Sequence, residues 1–67
     1  MPTFTIPTTE LRPGDVLVWA DQTETVTAVH LPDDPTTVVA MVETIRNGKP
    51  ERFMSGLRGQ HTVERAS

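Results

Sequence analysis

One dipeptide restricts the fold more than any other part of the chain. Asn47-Gly48 follows residues 36–46, in which seven of eleven positions are Val, Ile or Thr. A type I′ turn needs φ > 0 at both central residues, and Asn-Gly supplies that at the least steric cost. The pair therefore predicts a hairpin, with residues 36–46 entering it and residues 49–54 leaving it. A helix over 36–46 is the alternative. Asp34 would cap it, Pro35 would sit at its first position, and Gly48 and Pro50 would end it. Val38, Met41, Val42 and Ile45 also fall at helical spacing. Composition favours the strand. The 67 residues include 11 Thr and 8 Val against four Ala and four Leu, and β-branched side chains suit a pleated, half-buried surface. The expected class is all-β, with α+β and a helix at 36–46 as the alternative.

The rest of the chain reads as short extended pieces. Phe4 and Ile6 share one side of residues 2–8, which Pro2 and Pro7 bracket, so this segment is at best a short edge strand. Pro13-Gly14 predicts a type II turn before Val16-Leu17-Val18-Trp19-Ala20. Residues 23–31 break strict alternation, and a bulge near Thr27 or Ala28 would put Val26 and Val29 on one face. Pro32-Asp33-Asp34-Pro35 is a loop. The apolar run Val38 to Val42 implies a central strand covered on both sides at one end. Phe53 is the expected core anchor, residues 55–59 a turn, and residues 60–65 a last strand with Val63 inward. The expected architecture is a single small five-stranded SH3-like barrel over residues 1–67, since closing the sheet removes edges that a short chain cannot otherwise cover.

Leu11-Arg12-Pro13-Gly14-Asp15-Val16-Leu17-Val18, then Thr25-Val26-Thr27-Ala28-Val29, then Asn47-Gly48-Lys49, and Phe53 followed by Gly56 and a final strand with Val63 give a recognisable order. From about Glu10 to Arg65 the chain resembles the N-terminal barrel domain of elongation factor P. The resemblance implies a barrel. In that family the loop after the strand corresponding to 23–31 carries a glycine-flanked, modified lysine that reaches into the ribosome. Here that loop is Pro32-Asp33-Asp34-Pro35, with no lysine and two negative charges, so the translation function does not carry over.

The composition excludes several chemistries. There is no cysteine, hence no disulfide framework, thiol nucleophile or thiolate zinc site. The longest apolar run is five residues, too short to span a membrane, and no signal peptide is expected at the N-terminus, which makes the cytoplasm the expected compartment. The serines Ser55 and Ser67 and the histidines His30 and His61 suggest no triad by their spacing, and no Gly-x-Ser-x-Gly elbow or phosphate-binding glycine loop is present. Asp21, Glu24, Asp33, Asp34 and Glu43 lack calcium-loop spacing. The chain is therefore expected to be non-enzymatic, without a cofactor or a metal.

Two binding surfaces are candidates. Leu17 and Trp19 lie two apart on a strand, so they share a face. Pointing outward they would form a protein-contact patch, and pointing inward they would be core. The second candidate is basic. Residues 1–45 carry one basic and seven acidic residues, and residues 46–67 five basic and two acidic. Arg46, Lys49, Arg52 and Arg58, with Phe53 among them, would make a nucleic-acid surface. The leading expectation is a binding module acting on another protein or on a second copy of itself, with a nucleic-acid- or ribosome-associated β-barrel as the alternative.

Overall fold

A computed structural model describes residues 2–65. Six strands follow one another: β1 (Thr3–Pro7), β2 (Val16–Val18), β3 (Thr23–His30), β4 (Val39–Arg46), β5 (Lys49–Gly56) and β6 (Gln60–Glu64). A single 3₁₀ turn, Thr8–Glu10, follows β1. All pairings are antiparallel, in one sheet of order β1-β6-β2-β3-β4-β5. The protein is all-β, and residues 36–46 form no helix.

Each turn forms for the reason its residues give. Asn47 has φ 53° and Gly48 φ 76°, and Arg46 pairs with Lys49 across them, the geometry of a type I′ hairpin. Gly14 has φ 97° and the Asp15 amide donates to the Arg12 carbonyl at 3.1 Å, which closes the type II turn. The register of β3 against β4 shifts between Val26 and Ala28. The extra residue, Thr27, returns Val29 to the face of Val26, and both join the core. The helical signal at Asp34 is real but local. Its carboxylate accepts from the Thr36 amide at 2.9 Å and its carbonyl from the Thr37 amide at 3.1 Å. That one turn ends where the β-branched pair Val38-Val39 begins.

Three expectations are corrected. The strands number six, not five, because the proline-bracketed segment is a full edge strand paired with β6. The sheet is not a closed barrel. β1 and β5 are its two edges, and no backbone ladder joins them among the described residues. The chain leaves the sheet at the 3₁₀ turn after Pro7, and the two edges meet instead through side chains: Thr8 Oγ1 and Ser55 Oγ lie 2.9 Å apart. The run 38–42 is covered on one side only. Ala40 and Val42 are buried, whereas Val39 and, on β5, Met54 face solvent.

The inner face of this coiled sheet holds the core. Leu11, Leu17, Val26, Val42 and Val63 are buried there, with Ile6, Val29 and Phe53 packed against them. Each fully buried aliphatic side chain contributes about 1.5–3 kcal/mol, so a core this small leaves little margin. Leu17 is 1% exposed and opposite both Val63 and Glu24. That settles the phase of β2: Leu17 points inward and is withdrawn as a surface candidate. Trp19 lies two residues further along, beyond the end of β2.

Candidate functional site

Trp19 is placed by a reverse turn. Its amide donates to the Gln22 carbonyl at 2.9 Å, which carries the chain from β2 into β3. The indole therefore sits at the rim of the inner face and remains 39% exposed. It meets Phe53 edge-on, with ring centroids 6.1 Å apart at 75°, and His61 at 6.4 Å and 86°. Phe53 and His61 are 6.3 Å apart. Such aromatic pairs are worth about 0.5–1.5 kcal/mol beyond the area they bury. This clustering holds the indole in place while leaving part of it open.

Two clefts flank the indole. One, of about 250 Å³, runs between Trp19, Ala20, Gln60 and His61. The other, of about 420 Å³, is bounded by Trp19, Phe53, Gln22, Glu24, Glu51 and Arg52. Polar side chains in the second are ordered by each other. Arg46 donates to Gln22 Oε1 at 2.9 Å and to Glu51 Oε1 at 2.6 Å. Thr44 donates to Glu24 Oε1 at 2.7 Å. Glu24 is 9% exposed, yet no Lys, Arg or His nitrogen comes within 4.0 Å of its carboxylate among the described residues. The wall thus combines two aromatic side chains with a nearly buried carboxyl group that no basic side chain reaches among the described residues.

Sequence reasoning missed a second cluster. Thr8 Oγ1, Ser55 Oγ and His61 Nε2 form a triangle with every side 2.9 Å. The turn at residues 56–59, closed by the Gly59 amide on the Gly56 carbonyl at 2.9 Å, folds β6 back over β5, although the two are not paired in the sheet. Gly56 and Gly59 were the available signal, since a four-residue reversal brings residues 55 and 61 close. Thr8 is fully buried, and burial pushes the His61 pKa below its ordinary 6.5. The triangle lies where the edges of the open sheet meet, and its position is that of a clasp.

The basic candidates are dispersed. Arg46 is engaged with Glu51 and Gln22. Lys49 is exposed beside the hairpin turn, and Arg52 is exposed opposite Glu43 in register. Arg58 occupies the turn at the far end of β5. At about 3.3 Å per residue, the ends of that strand are roughly 23 Å apart, so the four cations make no single patch. A further acidic site serves the fold. Asp15, 3% exposed, accepts from Arg65 Nε and Nη2, both at 2.7 Å, and from the Arg12 amide at 2.9 Å. The hydrogen-bonded Arg65 guanidinium holds its carboxyl below the ordinary 3.8.

Compared with protein-family models, curated proteins and solved structures, the chain matches none, so its own geometry carries the functional reading.

Proposed function

We propose that this chain is a non-enzymatic interaction module that binds another protein through the rim of its inner face, centred on Trp19. The observation that carries this reading is the placement of the single tryptophan: 39% exposed, held by Phe53 and His61, and standing between two clefts. Aromatic side chains fixed at the edge of a pocket supply contact area at little entropic cost. In so small a core, an indole left part-exposed is a departure from full use of the apolar residues. The likeness to the barrel of elongation factor P enters only as strand and turn order, and no role in translation is taken from it.

The basic-hairpin alternative gains little support from cations that are engaged or far apart. Ser55 and His61 are read as part of the clasp, because their hydrogen bonds are made with each other and with the buried Thr8.

Site-specific photo-crosslinking in cells tests the proposal. A photoreactive residue at Ala20, beside the indole, is expected to capture a protein. The same residue at Thr25, which β2 and β4 flank on the outer face, is expected to capture none. Capture of nucleic acid from Ala20, or equal capture from both positions, would overturn it.

A further inference from the structure

The cleft between Trp19 and Glu51 has the chemistry of a receptor for one cationic side chain. A carboxylate removed from water is costly unless a cation or several hydrogen-bond donors compensate it. Glu24 is nine-tenths buried and receives one hydrogen bond, from Thr44, on Oε1. Its other oxygen, Oε2, has no hydrogen-bond partner among the described residues. No side-chain oxygen that is sealed from solvent is left unpaired, so Oε2 keeps contact with solvent, and Glu24 lines the cleft. The nearest basic residue by strand position, Arg46, spends its guanidinium on Gln22 and Glu51.

The other walls suit the same ligand. Trp19 and Phe53 stand at 75° to one another, and the π-face of an aromatic ring attracts a cation, tryptophan most strongly. Glu51 lies on the far side and shares its charge with Arg46. Arg52 also borders the cleft, is exposed, and stands opposite Glu43 in register, on the strand position that alternates with Glu51 and Phe53. One free carboxylate oxygen beside an aromatic face matches a single positive head on an apolar stem, and a chain of net charge −3 attracts such a partner.

We infer that the cleft lined by Trp19, Phe53, Glu24 and Glu51 takes a basic side chain, lysine or arginine, presented by a different protein. This rests on the reading of Trp19 as a protein-contact site and gives its partner a chemistry.

The experiment is a titration of the ¹⁵N-labelled protein with blocked alanine pentapeptides whose central residue is lysine, arginine or acetyl-lysine. Concentrations up to roughly 10 mM reach the millimolar affinity that a few kcal/mol of contact gives. Saturable shifts of the Trp19 indole N–H and of the Glu24 and Glu51 amides are expected with lysine or arginine. The better of the two identifies the preferred head group. Acetyl-lysine, which keeps the stem and loses the charge, is expected to leave them unmoved. Glu24→Gln keeps an oxygen for Thr44 and is expected to weaken the response at least tenfold. Glu51→Gln, scored beside it, is expected to weaken it less. Equal response to acetyl-lysine, or no loss in Glu24→Gln with the fold intact, overturns the inference. So does self-association of the protein that Glu24→Gln abolishes, since a second copy would then supply the cation. Failure here with successful crosslinking from Ala20 would leave a protein-contact surface whose partner is not basic. Failure of both removes the surface itself.

Discussion

Two carboxylates in this small protein are almost equally buried and are treated in opposite ways. Asp15 is closed in at the corner where the type II turn meets the end of β6. Arg65 grips it through two nitrogens, and the Arg12 amide completes its shell. Glu24 sits on β3 opposite Leu17 and lines the cleft beside Trp19, with one donor and no cation in reach among the described residues. The first arrangement is complete within the chain and pins the last residues of the strand to the turn. The second has one donor within the chain and an oxygen left open to solvent. Two carboxylates of similar burial thus differ in the number of partners the chain gives them, and that difference is what the proposed receptor rests on.

The comparison can be broken most forcefully at Asp15. Asp15→Ala strands a guanidinium and an amide, and we expect a loss of about 2–3 kcal/mol. In a domain of this size that lowers the unfolding midpoint by roughly 10–20 °C, as read by circular dichroism. The pH dependence follows from the same contacts. The folded pKa of Asp15 lies below its ordinary 3.8, so its contribution is fully present above that value and fades as pH falls through the lower, folded one. Urea unfolding of the parent and of Asp15→Asn should therefore converge in strong acid.

Trp19→Ala comes next. The indole is 39% exposed and touches Phe53 and His61 by edge contacts, so about 1–2 kcal/mol of stability is expected to go, with loss of capture at Ala20. A loss of more than about 4 kcal/mol would make Trp19 a core residue and remove the surface.

The clasp gives a smaller effect of opposite chemical type. Burial depresses the His61 pKa below 6.5, so the neutral ring is favoured in the folded state. Its stabilising share is present above pH 6.5 and is lost as pH falls through the folded value. The midpoint should drop between neutral and mildly acidic pH, and His61→Gln should flatten that part of the profile. An unchanged profile in the variant would assign the drop elsewhere.

Much of the fold was legible because local chemistry decided it. Asn47-Gly48, Pro13-Gly14 and the broken alternation at Val26 and Val29 each specify a backbone conformation within a few residues. The proline-bracketed Thr3–Pro7 strand was legible as an edge, yet it was not counted in the architecture. Closure was not legible, because whether β1 and β5 pair is decided over about fifty residues of chain. The sheet stayed open and joined its edges through Thr8 and Ser55 instead. Trp19 was singled out by its rarity, but the side it faced depended on the phase of a three-residue strand. Glu24 was mentioned only as one loose acidic residue among several. Its isolation from cations is a property of where Arg46 points, and residue spacing carries no trace of that. The histidine triangle was missed for a similar reason, since β5 and β6 face each other without pairing.

Glu24→Gln tests the contrast between the two carboxylates with the least disturbance, because the substitution keeps shape and the hydrogen bond to Thr44 while removing the charge. Its unfolding midpoint and the response of Trp19 fluorescence to the lysine peptide should be measured on the same sample. The expected midpoint lies within about 2–4 °C of the parent, equivalent to about 0.5 kcal/mol, together with a fluorescence response reduced at least tenfold. A midpoint that falls as far as that of Asp15→Ala, with the peptide response retained, would mean that Glu24 belongs to the fold and not to a partner.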